Sequence, residues 1–309
     1  MSPPTQTFFV TGATGSQGGA TARYLLSGNH KVHALVRNPT SPSALDLQSL
    51  GAVLFPGDFD SPTAIAAACT CATSVFINTF PQMVPGAELQ HAKNIVSAAL
   101  ASKTVTSLVY SSAILTGQHD SFPGFQADSW MGTYFLAKHG IEELVRGSGL
   151  QWTILRPAML MKSFVPPNSD FNFPDLGKEG VLLTAYKPDI QLTVFSEKDV
   201  GAFAAEAMLN PAGWHGKEIT LGAEKMGLED IARQLTEACG KRIVVKFRTE
   251  EEVEALRGKH PIVDSQIMSN DLDFSVDVEG LVEKFGIKLT SLKEYLEEHK
   301  EEVHKAFSF

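Results

Sequence analysis

Tyr134 and Lys138 stand four residues apart, so a helix through Tyr134-Phe135-Leu136-Ala137-Lys138 places both side chains on one face. A phenol ordinarily loses its proton at about pH 10, and a neighbouring ammonium favours the phenolate and lowers that value. Such a tyrosine can give a proton to a carbonyl oxygen, or take one from an alcohol, at neutral pH. Ser112, in Val109-Tyr110-Ser111-Ser112-Ala113, precedes Tyr134 by 134 − 112 = 22 residues and can hydrogen-bond the same substrate oxygen. A tyrosine and a lysine at this spacing arise by chance in many helices, where they form a pair on a solvated face. Their weight here comes from the segments around them.

The strongest of these segments is the N-terminal one. Thr7-Phe8-Phe9-Val10-Thr11 reads as a strand, Gly12-Ala13-Thr14-Gly15-Ser16-Gln17-Gly18-Gly19 as a turn, and Ala20 to Leu26 as a helix. A strand that ends in G-x-x-G-x-x-G and runs into a helix presents free backbone amides at the positive end of the helix dipole. The first glycine permits the tight turn, the second lets a phosphate approach the backbone, and the third lets helix and strand pack closely. This pattern predicts a dinucleotide site rather than a simple turn.

The second strand ends Ala34-Leu35-Val36-Arg37-Asn38-Pro39. An acid at this place would take both ribose hydroxyls and repel a 2′-phosphate; a guanidinium binds that phosphate and can lie over adenine. Arg37 therefore favours NADP(H). Asp58, in Gly57-Asp58-Phe59-Asp60, is placed to accept from the adenine amino group, with Phe59 beside it. Its alternative is a helix cap, with Asp60 and Ser61 as rivals. Asn78-Thr79-Phe80 closes the fourth strand, where side chains flank the middle of the cofactor or serve as turn chemistry.

These positions need a framework. Short apolar runs at 8–10, 32–36, 53–55, 74–77, 108–110 and 152–155 alternate with helical segments near 18–26, 43–50, 62–68, 87–101 and 132–146. Six such units predict an α/β fold: a Rossmann-type doubly wound parallel sheet covered on both faces. Residues 1–157 form the expected dinucleotide-binding core, with 191–221 returning to it. Residues 158–190 and 222–309 form a smaller C-terminal substrate-binding or lid lobe. Residues 162–190 are rich in Phe, Pro, Asn, Asp and Gly and read as irregular. Helices are expected at 197–209, 227–239 and 249–257, a strand at 216–221, and one charged helix from Ser291 to Phe307 with a solvated face.

At 309 residues the chain can bury a large core, and its net charge of −9 disfavours direct nucleic-acid binding. No apolar stretch reaches membrane-spanning length, so a cytoplasmic protein without a membrane partner is expected. Cys69, Cys71 and Cys239 suit neither a disulfide framework nor zinc and are read as buried small residues. His91, His119 and His139 lack metal-ligand spacing, and no metal is expected. Trp130, Met131, Met159, Met161 and Phe164 are read either as an apolar substrate pocket or as core.

The glycine motif, Leu35-Val36-Arg37-Asn38-Pro39, Leu155-Arg156-Pro157 and Leu292-Lys293-Glu294-Tyr295-Leu296 together resemble the NmrA-like branch of the short-chain dehydrogenase/reductase superfamily, nearly end to end. The resemblance implies NADP preference and cofactor contact at Gly12, Thr14, Gly15, Gln17, Gly18, Arg37 and Lys138. Ser16, Asn38 and Pro157, in the same motifs, complete the expected cofactor set. Several regulatory members of the branch keep the lysine and lack the tyrosine. This chain has both, with Ser112 rather than Ser111 in the register of the active-site serine. The resulting expectation is an NADPH-dependent reductase of a carbonyl group on an apolar small molecule, with Tyr134, Lys138 and Ser112 catalytic and specialised metabolism as one setting. The site would lie above the carboxyl ends of the strands, under residues 159–190. The alternatives are an NADP(H)-sensing regulatory protein without turnover and a redox-neutral cyclase or isomerase. Oligomeric state stays open, because nothing in the sequence separates an exposed helix from an interface helix.

Overall fold

The computed structural model describes residues 5–82 and 84–307. The chain divides into two compact units. The first comprises the chain up to Gly117, Gly132–Pro157 and Glu197–Thr220. In it β1 (Thr7–Val10), α1 (Ser16–Ser27), β2 (Lys31–Val36), α2 (Pro42–Ser49), β3 (Val53–Pro56) and α3 (Pro62–Cys69) are followed by β4 (Ser74–Ile77), α4 (Ala87–Ser102), β5 (Ser107–Ser111), α5 (Trp130–Arg146) and β6 (Gln151–Pro157). The sheet has seven strands, with the Lys217–Leu221 strand at one edge and then β6, β5, β4, β1, β2 and β3. β1 to β6 run parallel. Strand order reverses between β1 and β4, which is the switch point where doubly wound sheets bind ligands. Phe8, Phe9 and Val10 are fully buried, as a central strand covered on both faces requires.

One helix contact fixes the face of this sheet. A Cβ on Gly201, in the Glu197–Leu209 helix, would lie 2.6 Å from the Ala20 carbonyl carbon and 2.8 Å from the Thr21 amide nitrogen of α1. The two helices therefore cross at backbone distance, and only a residue without a Cβ fits there.

Buried charge locks α5 to the edge of the sheet. The fully buried Glu142 carboxylate accepts from Arg156 Nε (2.9 Å) and Nη2 (2.6 Å) on β6 and from Arg146 Nη2 (2.7 Å). Glu218 pairs with both guanidiniums at 2.7 Å. The arginine of Leu155-Arg156-Pro157 thus holds α5 in place.

The second unit comprises Gln118–Met131, Ala158–Ser196 and the chain from Leu221. A three-stranded sheet orders Glu224–Met226, Leu192–Phe195 and Met159–Leu160, and a parallel pair joins Val244–Phe247 to Val181–Thr184. Met161 and Phe164 are fully buried in this unit's core, with Phe164 stacked on Phe173 at 5.6 Å. They are core residues, not pocket lining. Met159 packs against the same core, and the Trp130 and Phe171 rings lie 6.0 Å apart.

Two sequence expectations change. The single helix expected from Ser291 to Phe307 is two, Leu292–Glu298 and Lys300–Ala306, with a break at His299. Its inner face is not solvated: Leu292, Tyr295, Leu296, Val303 and Phe307 are buried in the second unit's core, and the mixed charges occupy only the outside. Cys71 is exposed in a left-handed turn (φ 62°), whereas Cys69 and Cys239 are buried. Loss of water pushes the Cys69 thiol up to about 12.

Replacing Gly201 with valine would force α1 and the Glu197–Leu209 helix apart. The expected cost is roughly 1–3 kcal/mol. It would be read as a lower urea midpoint with an unchanged slope; an unshifted midpoint would contradict the close crossing.

Candidate functional site

Val10 is in register with Ala34 on β2 and Phe76 on β4. Thr11–Gly12, Arg37 and Asn78 therefore leave the sheet at one edge. Thr11 fastens two of these exits, donating from Oγ1 to Phe76 O (3.0 Å) and accepting from Asn78 N (2.8 Å). Gly12 is left-handed (φ 61°), and a Cβ there would meet Asn78 O at 3.2 Å. The Gly15 amide donates to Gly12 O at 2.9 Å and closes the turn. A Cβ on Gly18 would lie 2.5 Å from the Gly12 carbonyl carbon, so α1 can start this close to β1 only with glycine here.

The N-cap of α1 is Gly15, which has no side chain to occupy the opening amides. Thr14 and Gly15 are exposed, and Ser16 and Gln17 are half-buried. Gln17 is oriented by Ser111, whose Oγ donates to Gln17 Oε1 at 2.5 Å. The two serines after Tyr110 thus divide by strand alternation. Ser111 faces the glycine turn, and Ser112 lies on the opposite face, where its Oγ donates to Thr116 Oγ1 (3.2 Å). Pro157 closes β6, its carbonyl accepting from Ile114 N at 3.0 Å.

Arg37 is exposed and has no carboxylate partner among the described residues. Asn38 spends its side-chain oxygen on the turn into α2, accepting from Thr40 N (3.0 Å) and Oγ1 (2.8 Å). Asp58 is exposed, and its Oδ1 accepts from Ser61 Oγ (2.7 Å) and Asp60 N (3.0 Å). These bonds, Ser61 first, hold its carboxyl below the usual range and keep it ionised. Asp58 thus stabilises a turn and does not cap α3. Phe59 packs on the core and faces the His91 ring at 5.4 Å. Phe80 is 73% exposed.

The proton-transfer candidates lie around a buried ion pair. Lys138 Nζ donates to Glu88 Oε1 on α4 at 2.6 Å, with both side chains almost wholly buried. Thr79 Oγ1 donates to the same oxygen at 2.7 Å. The ammonium lies 5.6 Å from the Tyr134 ring centre and 6.0 Å from that of Tyr110. The buried Tyr110 hydroxyl has no well-aligned partner among the described residues, and loss of water, first, and then the Glu88 charge hold its ionisation well above the ordinary value.

This arrangement reverses one expectation. With Lys138 nearby, the Tyr134 phenol still does not ionise more readily than a free one. The phenol is held well above its ordinary value, first by loss of water and then by the Glu88 charge. Lys138 gives its proximity to Tyr134, but its charge is met by Glu88, and any ribose contact must compete with that pair.

Glu88 was missed in the sequence although a signal existed. Glu88, Ala92, Ile95, Val96 and Ala99 form one buried stripe of α4, and Glu88 is the only carboxylate on it. A charged group on an apolar stripe needs a partner of opposite charge.

The organisation of this chain is shared with known proteins. It is 28% identical over 257 residues to the NmrA-like family domain-containing oxidoreductase cpsB of Aspergillus campestris, covering 76% of this chain and 73% of that protein. It is 41% identical over 130 residues to the corresponding oxidoreductase notA of Aspergillus sp. (strain MF297-2), a stretch that spans 40% of this chain and only 37% of notA. Among solved structures it is similar to NmrA, a negative transcriptional regulator in complex with NADP, with a TM-score of 0.74, 20% identity and 99% of each chain covered. It is also similar to the NADPH-dependent quinone oxidoreductase QOR2 of Escherichia coli, with a TM-score of 0.72, 22% identity, and 94% of this chain and 99% of that one covered. These structural likenesses bear on the fold. A sequence model of the NmrA-like family matches residues 4–300, and the chain belongs to that family.

Proposed function

We propose that this chain is an NADP(H)-dependent oxidoreductase that reduces a carbonyl group on an apolar small molecule. The observation that carries the reading is Arg37: a guanidinium without a carboxylate partner among the described residues, leaving the sheet at the same edge as the glycine turn. That edge fits a dinucleotide phosphate. The start of α1 has no side-chain cap, Gly12 has a left-handed backbone, and the backbone around Gly18 leaves no room for a Cβ. Relatives named as oxidoreductases support turnover rather than sensing alone.

In this reading Gly12, Thr14, Gly15, Ser16, Gln17 and Gly18 cradle the pyrophosphate, and Arg37 takes the 2′-phosphate. The bound reduced nicotinamide supplies a hydride. Tyr134 gives the proton to the substrate oxygen, and Ser112 orients that oxygen. Lys138, paired with Glu88, holds the Tyr134 ring in position.

Arg37→Ala is expected to weaken NADPH binding about 10- to 100-fold, the worth of one or two charged hydrogen bonds, and to leave NADH binding nearly unchanged. Isothermal titration with both nucleotides checks this; equal losses for the two would remove the 2′-phosphate assignment.

Tyr134→Phe is expected to lower carbonyl-dependent NADPH oxidation by about 10²- to 10⁴-fold while NADPH still binds. Retained turnover would refute the proton-donor role. Wild-type protein that binds NADPH tightly but oxidises none across a carbonyl panel would be a sensor. A product of unchanged mass would mark an isomerase.

A further inference from the structure

The ion pair behind Tyr134 carries a consequence for the direction of proton transfer. Glu88 from α4, Tyr110 from β5 and Lys138 from α5 lie near that phenol within the first unit. Thr79 adds a hydroxyl that donates to Glu88. A lysine alone would stabilise the phenolate. Here a carboxylate stands 2.6 Å from the ammonium, and its second oxygen is buried with no hydrogen-bond partner among the described residues. The pair has no net charge, so Lys138 lends a phenolate beside it little net stabilisation.

We propose that Glu88 is a positioning residue that cancels the Lys138 charge beside Tyr134, so that alcohol oxidation, which starts from the phenolate, sets in only at higher pH. In reduction the Tyr134 O–H bond breaks and an O–H bond forms on the substrate oxygen. The electron pair stays on the phenolate until water returns a proton, and the carbonyl carbon takes its hydride from the reduced cofactor. The reverse reaction starts from the phenolate, so its pH profile follows the ionisation of Tyr134. The catalytic consequence rests on the reading of Tyr134 as the proton donor; the electrostatic effect of Glu88 does not.

The test is a tyrosinate absorbance titration of the protein without added nucleotide, on wild type, Glu88→Gln and Glu88→Asp, each with and without Tyr134→Phe. Subtracting the Tyr134→Phe curve isolates Tyr134 from Tyr24, Tyr110, Tyr186 and Tyr295. Glu88→Gln is expected to raise the Tyr134 acid dissociation constant about tenfold or more, one pH unit. Glu88→Asp, which draws the carboxylate back by one methylene, is expected to fall between the two. NADP-dependent alcohol oxidation by Glu88→Gln should extend to lower pH by the same amount. An unshifted Tyr134 titration in Glu88→Gln would overturn the proposal, as would an unshifted Glu88→Asp if circular dichroism finds Glu88→Gln unfolded. A shifted titration together with full turnover in Tyr134→Phe would leave the electrostatic role of Glu88 standing and sink the proton-donor reading.

Discussion

Two helices in this protein touch other backbone with nothing in between. α1 begins against the carbonyl of its own turn at Gly18, and farther along its length it meets the Glu197–Leu209 helix at Gly201. Together the contacts fix where α1 starts, which way it points and how deep it sits on the sheet. The placement of the opening amides of α1, and of Gln17 against Ser111, follows from them. Glycine is a poor helix former, and three stand within α1 and its partner at Gly18, Gly19 and Gly201. The intrinsic cost in helix stability is offset by packing that no larger residue allows.

The second constraint is electrostatic. Burying an ammonium or a carboxylate alone is prohibitive, and burying them as a pair is tolerable only with good geometry. The first unit does so twice. Around Glu142 two guanidiniums share one carboxylate and hold α5 to β6. Around Lys138 a single carboxylate and a threonine hydroxyl complete the set. The first arrangement positions the helix; the second sets the charge felt by Tyr134 on that helix. A tyrosine followed four residues later by a lysine has different chemistry according to whether the lysine's charge is spent, and here it is spent.

Much of the framework is legible in the chain. Buried parallel strands must be short and apolar, so Phe8-Phe9-Val10 and Ser74-Val75-Phe76-Ile77 announce themselves. The helices between them carry their own turn and capping signals. The site is less legible. Asp58 and Asn38 fit two roles because turn residues and cofactor ligands draw on the same side chains, and the structure commits one oxygen of each to a local turn. Thr79 stands at a strand end as expected, yet its hydroxyl turns inward to Glu88. Met161 and Phe164 could be read as pocket or core because composition does not say which side of a loop is covered.

The sequence by itself determined the alternation of strand and helix, the glycine turn at its head, the cation in place of an acid after β2, and the Tyr–Lys spacing. Each is a local pattern, fixed by periodicity or by the conformational range of one residue. Only the tertiary structure decided that Glu88 meets Lys138, that Ser111 and Ser112 face opposite sides of the sheet, and that the Tyr134 proton is held rather than loosened. Those outcomes depend on groups brought together from α4, β5 and α5. The energy of a buried charge is set by what surrounds it in space, and neighbours along the chain do not reveal it.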